Sequence, residues 1–312
     1  LQSDSVKYKF AGHQTFAFRY GWLEKGVKGA CNNPSIFSDK GQAMVHLGVG
    51  KNMVQSILHW CQVTQLLKTR IEGRKSVVMP TPLAISLLIE SPWDEFLEDD
   101  GSLWLIHWRL TTNPDYRTTW HLLLSLFHRP DFTKKELVDF IMGHVSRNGV
   151  KVAASVISRD VDCFLRTYLP AQSKAKKTDN LYPEETFDCP LIELDLIQVS
   201  GDGEFYRFAI GPKPSLPLGV FGYALLQYFN KKLDGRNTLS VQECMYGEGS
   251  PGQIFKLDEN SVIEYVEDLE RITDGKLVMD ETAGLKQIYR KFPVEPIDML
   301  KKHYRSEAIN ER

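Results

Sequence analysis

Leu47-Gly48-Val49-Gly50-Lys51-Asn52-Met53-Val54-Gln55-Ser56-Ile57 reads as a tight turn that opens a helix. Gly48 suits a turn that requires a positive φ, and Val49 plugs the gap beneath it. Beyond the turn, Val54, Ile57, Leu58 and Cys61 follow the i, i+3, i+4, i+7 spacing of one buried helical face. The opposite face offers Lys51, Asn52, Gln55, Ser56 and His59, which donate or accept hydrogen bonds at base edges and phosphates. Upstream, Ser38 or Asp39 caps a helix running to about His46, with Ala43 as the small residue where two close helices cross. Downstream, Leu67 to Arg70 and Ser76 to Met79 read as two short strands around Glu72-Gly73. Helix, turn, helix and hairpin in that order predict a winged helix-turn-helix unit.

Charge supports a nucleic-acid role for this unit. Residues 51–75 carry Lys51, Lys68, Arg70, Arg74 and Lys75 against Glu72 alone, a local net of +4. The whole chain has a formal charge of -2, so any contact with DNA must come from such a patch. The alternative is a winged helix used only for packing or protein contact. A phosphate-loop reading of Gly50-Lys51 fails, because the motif wants Gly at 45 and Ser or Thr at 52, where Val45 and Asn52 stand.

The same order of parts recurs twice. A helix over about Thr118 to Phe127 is followed by a capping box, Thr133-Lys134-Lys135-Glu136, which opens a second helix ending near Gly143. A third helix runs from about Val152 to Tyr168. The polar, basic stretch from Gln172 to Asn180 is either a wing tip or a solvated linker. Further on, a helix over Val220 to Lys231 precedes the capping box Ser240-Val241-Gln242-Glu243, and Asp258 caps a long helix to about Ile272. A hairpin around Ala283-Gly284 follows. That long helix is acidic, with Glu259, Glu264, Glu267, Asp268 and Glu270 against Arg271 alone, so it would repel phosphates. The expected architecture is mainly α with small β wings, built as tandem winged helix-turn-helix units. Its segments are 1–110, 111–200 and 201–312.

Composition excludes several classes. With 42% hydrophobic and 25% charged residues over 312 positions, the chain is globular and long enough for more than one core. Its five cysteines are scattered without a C-x-x-C pair, which fits reduced thiols rather than a disulfide framework or a zinc site. No apolar run approaches the roughly 18 residues of a membrane span, and Leu1-Gln2-Ser3-Asp4-Ser5 lacks the order of a signal peptide. The expectation is a cytoplasmic protein with no membrane partner.

Two stretches invite chemistry. Glu90 to Asp100 holds six carboxylates and no cation. On a helix, Asp94 with Glu98 and Glu95 with Asp99 would lie one turn apart. Such a set, with Asp94 and Glu98 as ligands, suits the Mg²⁺ that activates water for phosphodiester cleavage. The alternative is an acidic loop capping the helix that follows. In the aromatic stretch Phe10 to Leu23, His13 and Arg19 are candidates for catalysis or DNA contact, against the reading of a docked arm that covers the core. His107, inside the apolar run Leu103 to Trp108, reads as a core histidine. Gly249-Ser250-Pro251-Gly252 reads as a tight turn between helices.

Four stretches together resemble one family: GHQTFAFRYGWLEKG (Gly12 to Gly26), LGVGKNMVQSILHW (Leu47 to Trp60), FLEDDGSLWLIHW (Phe96 to Trp108) and SPGQIFKLDE (Ser250 to Glu259). It is the bacterial domain-of-unknown-function family encoded beside DNA phosphorothioation genes, that of the DNA-nicking protein SspB. The resemblance spans nearly the whole chain. It implies action on DNA together with desulfurase, ATP-using and ATPase partners that replace a backbone oxygen by sulfur, with nicking to open the strand first. It supplies no catalytic residues. The expected function is Mg²⁺-dependent nicking, and the alternative is a non-enzymatic DNA-binding or scaffold subunit, including a transcriptional regulator.

Overall fold

The computed structural model describes residues 7–73, 75–170, 189–201, 203–232, 237–282 and 284–310. Its secondary structure is mainly α-helical with three small antiparallel sheets among these residues. The stretch from Gln172 to Asn180, expected as wing tip or linker, lies outside the described residues. The chain divides into two compact units. The first joins Leu1–Leu123 to Asp131–Arg207, and the second joins Leu124–Pro130 to Phe208–Arg312.

The first unit opens with α1 (Trp22–Asn32), α2 (Lys40–Leu47) and α3 (Lys51–Val63), then the hairpin β1 (Leu67–Glu72) and β2 (Lys75–Pro80). Asp39 starts α2 by accepting from the amides of Gly41 and Gln42 at 2.8 and 3.1 Å. Gly48 ends it at φ 65, the left-handed conformation that costs glycine nothing. Ala43 is fully buried, as expected of a small residue at a helix crossing. Gly26 brings α1 against α3, where a Cβ would come within 2.5 Å of Cys61 Sγ. The hairpin register sets Leu67 opposite Pro80 and Glu72 opposite Lys75.

Next come α4 (Pro82–Leu88) and α5 (Asp100–Thr111). Every residue from Gly101 to Trp108 in α5 is buried, so it is a core helix apolar on all sides. His107 sits in it as a satisfied core histidine, its Nδ1 hydrogen-bonded to Tyr168 Oη at 2.8 Å. The helix expected from about Thr118 to Phe127 is present as a short α6 (Thr119–His121) that continues as a π-helical turn over Leu122–Leu126. Then follow β3 (Asp131–Thr133), α7 (Lys134–Arg147) and α8 (Ala154–Tyr168), and later β4 (Ile197–Ser200) and β5 (Phe205–Phe208). The Thr133–Glu136 capping box is formed.

The second unit holds α9 (Leu218–Lys232), β6 (Thr238–Ser240), α10 (Val241–Tyr246), α11 (Pro251–Phe255) and α12 (Glu259–Ile272). It ends with β7 (Leu277–Thr282), β8 (Leu285–Arg290) and α13 (Pro296–Asn310). Ser240 and Glu243 form the second capping box, and Asp258 caps α12 through the Ser261 amide. The strand orders β3-β5-β4 and β6-β8-β7 are the same plan, in which the first strand pairs with the last. The two-stranded β1–β2 sheet does not share this order.

Candidate nucleic-acid interface

The N-terminal turn of α3 is the exposed part of that helix. Lys51 and Asn52 face solvent, and Gln55 is half-buried. Gly50, at the N-cap, supplies no side-chain acceptor, so no cap draws on the first amides of α3. Positive dipole and amide donors gather at this end. Arg19 lies beside it, its guanidinium stacked 5.4 Å from the Phe16 ring centroid and 5.3 Å from that of Trp22. Arg19, Trp22, Met44, Val45, Gly50 and Met53 line an open concavity of about 590 Å³. The aromatic N-terminal stretch thus delivers Arg19 to the turn between α2 and α3, which spacing alone did not reveal.

Ser56 and His59 do not share that face. Both were expected outward, and both are buried. Counting helical turns separates them from Val54 and Ile57, but the N-terminal arm covers this flank too. Ser56 Oγ donates to the His13 carbonyl at 2.9 Å. The His59 ring lies against Gly12, where a Cβ would come within 2.2 Å of Nδ1. Neither ring nitrogen of His59 has a hydrogen-bond partner among the described residues. Burial, with smaller contributions from Lys9 and His13, holds its pKa well below the ordinary histidine value.

His13 belongs to the same buried layer. Its Nδ1 accepts from the Thr15 amide at 3.1 Å, which leaves Nε2 as the donor to Asp160 Oδ1, also 3.1 Å away. Asp160 further accepts from the Ala11 amide at 2.7 Å and from Thr119 Oγ1 at 3.0 Å. His13 and Asp160 are each 1% exposed, so they fasten the arm beneath α3. Asp160 was missed from sequence. Its signal was present, because it stands on α8 three residues after Ile157 and four before Phe164, where an apolar residue is the norm.

The hairpin presents Lys68 and Arg70 on exposed backbone. Arg70 Nε lies 4.0 Å from Glu72 Oε1, an ion pair open to solvent. Arg74 lies outside the described residues, and the backbone at Lys75 pairs with Glu72. A polar relay ties hairpin, helix and arm together: Gln62 Nε2 donates to Thr69 Oγ1 at 2.7 Å, and Lys9 Nζ donates to Gln62 Oε1 at 2.8 Å.

The acidic segment is not helical, so its carboxylates do not stack at helical spacing. Ser91 and Leu97 adopt φ 46 and 59, which no side-chain pattern announces. Asp94 folds back on the backbone, its two oxygens accepting from the amides of Glu98 and Asp99 at 2.9 and 3.0 Å. Asp99 caps α5 through the Ser102 amide at 3.1 Å. Glu95 pairs with Lys28, which also holds Glu24. Glu98 is exposed. No group of three or more His, Cys, Asp or Glu side chains among the described residues is arranged to hold a metal ion. Among the described residues, Asp94 and Asp99 thus accept from backbone amides, Glu95 is engaged by Lys28, and Glu98 faces solvent.

A family model for a protein of unknown function, DUF4007, matches residues 10–304. The chain belongs to the DUF4007 family. Its fold matches an SspB crystal structure with a TM-score of 0.86 and 30% identity over 96% of this chain and 89% of that one. A magnesium ion-bound SspB crystal structure matches equally well at 29% identity, with the same coverage. No curated protein matches the chain significantly. No helix among the described residues of this DUF4007 member is long and apolar enough to cross a membrane.

Proposed function

We propose that the chain is a DNA-binding component of a bacterial phosphorothioation system that grips duplex DNA through α2, α3 and the β1–β2 hairpin. These four elements act as a winged helix-turn-helix, with α3 entering the major groove and the hairpin touching the backbone. The observation that carries this reading is the convergence at one end of α3 of Lys51, Asn52 and Arg19 with an N-terminus that no side chain caps. The β3-β5-β4 and β6-β8-β7 segments serve as the second and third units of that kind, and the acidic α12 makes the third a poor partner for phosphate.

The activity that the SspB likeness suggests is nicking of one strand with Mg²⁺. An SspB has been crystallised with a magnesium ion. In this chain Asp94 and Asp99 accept from backbone amides and Glu95 pairs with Lys28, while Glu98 is open to solvent. That observation favours the second reading, a DNA-binding subunit that recruits the sulfur-inserting proteins without cutting. Relaxation of supercoiled plasmid, with Mg²⁺ and with a chelator, separates the two. Metal-dependent conversion to open circles supports nicking. Binding without conversion supports the recruiting subunit, and absence of duplex binding at near-physiological salt removes both.

A further inference from the structure

The stretch Ser250–Glu259 plays no part in that interface. In the second unit it forms one side of a cavity of about 420 Å³, within the ~300–1,000 Å³ usual for small-molecule sites. The cavity is lined below by buried Phe127, Phe208 and Met245, while Ile210 and Tyr246 stand at its rim, 55% and 61% exposed. One lining residue breaks the pattern. Lys256 is 5% exposed. Its Nζ donates to the Leu124 carbonyl at 2.9 Å and lies 4.4 Å from the Phe208 ring centroid.

Among the described residues no carboxylate pairs with Lys256, and burial drives its pKa down to about 7. An ammonium has three donors, and a carbonyl and a ring face are modest compensation for taking it out of water. Its backbone is also left-handed, φ 54, a conformation that glycine or asparagine adopts more cheaply at a helix end. The lysine side chain is therefore the reason for a lysine here. Nearby Asp258 is committed elsewhere, its Oδ1 accepting from the Ser261 amide at 2.8 Å. Arg129 adds positive charge at the exposed rim, and Glu259 also lines the cavity there.

We propose that this cavity binds a nucleotide unit, its flat base stacked on the aromatic side chains and its phosphate drawn to Lys256. An anion is what a buried, uncompensated ammonium lacks. An aromatic surface with one exposed tyrosine is what a base stacks on in single-strand binding sites. A nucleotide joins the two chemistries at the scale of the cavity, either as a free nucleotide or as one unit of an unpaired DNA strand.

Calorimetric titration of the full chain with thymidine 5′-monophosphate, thymidine, inorganic phosphate and a short oligothymidylate tests this. The expected result is binding of the monophosphate at least tenfold tighter than thymidine or phosphate. Tyr246→Ala and Lys256→Met each weaken it at least tenfold. Oligothymidylate binding more tightly than the monophosphate identifies a strand as the source; equal or weaker binding identifies a free nucleotide. A Lys51, Asn52 and Gln55 triple alanine variant leaves monophosphate binding unchanged, so this site and the α3 interface fail independently. The proposal is overturned if the monophosphate does not bind, if phosphate alone binds as well, or if Tyr246→Ala has no effect. The last criterion stands even where Lys256→Met does not fold.

Discussion

Lys51 and Ser56 sit on the same helix, yet substitutions at the two positions have opposite readouts. Replacing Lys51, Asn52 and Gln55 together by alanine leaves the core untouched and lowers duplex affinity. The loss is about 1–3 kcal/mol for each good bidentate base contact that disappears, measured by fluorescence anisotropy at near-physiological salt. Ser56→Ala removes a buried hydrogen bond to the His13 carbonyl. It costs about 1 kcal/mol of stability and changes DNA affinity little. His59 offers a third outcome. Its folded pKa lies below the ordinary 6.5, so the unfolded chain takes up the proton first and stability falls as pH drops below 6.5. His59→Phe, which removes two unsatisfied buried nitrogens, flattens that acid limb. Thermal melts from pH 7.5 to 5 in both proteins check it, and parallel curves would contradict it.

Among the elements, the β1–β2 hairpin and the acidic segment carry the next expectations. Lys68 and Arg70 are solvent-exposed, and the Arg70–Glu72 pair is worth at most about 1 kcal/mol there. Lys68→Ala and Arg70→Ala leave stability nearly unchanged. Each reduces the log–log salt slope of duplex binding by about one unit, equally on all sequences. Asp99→Ala removes the cap of α5 and costs about 0.5–2 kcal/mol. Asp94→Asn also lowers the melting temperature, because Asp94 receives two amides, and it leaves plasmid nicking as in the parent protein. Loss of nicking at unchanged stability would return the metal to this segment.

The contrast between these two elements shows what the sequence discloses. Asp39, Thr133 with Glu136, Ser240 with Glu243, and Asp258 each act on amides two or three residues away, so their helices were legible. The acidic segment depended on positive φ at Ser91 and Leu97, non-glycine residues in which nothing local signals that conformation. Strand β3 pairs with β5 at a distance no turn signal spans. The burial of Ser56 and His59 likewise depended on where the Phe10–Leu23 arm lies, a tertiary fact outside the periodicity of α3.

For the whole molecule, buried Lys256 and half-buried Lys9 set an alkaline dependence. Burial lowers Lys256 to about 7 and Lys9 to about 8, both below the unfolded value of 10.5. Between those limits the unfolded state binds more protons, so stability increases with pH and the cost is fully present below about 7. The increase at Lys256 is about 1 kcal/mol per pH unit between pH 7.5 and 8.5, with a smaller share from the more exposed Lys9. Lys256→Met removes most of that slope, whatever its effect on the absolute melting temperature. Paired melting curves of the parent protein and Lys256→Met across this range check it, because the thiols, which begin to titrate there in the unfolded chain with the opposite sign, contribute equally to both.

The second unit takes Leu124–Pro130 from the middle of the chain, fastened by Lys256 Nζ on the Leu124 carbonyl, the Gly249 amide on Ser125 Oγ and the Phe208 amide on the Pro130 carbonyl. During synthesis this strip leaves the ribosome long before Lys256 and Gly249 exist to receive it. It must wait, its partners unmade, while the remainder of the first unit is translated. A gene truncated to begin at Phe208 would encode the second unit without its strip. Supplying that heptapeptide separately would be fragment complementation, and the boundary for cloning either half cannot be a single cut.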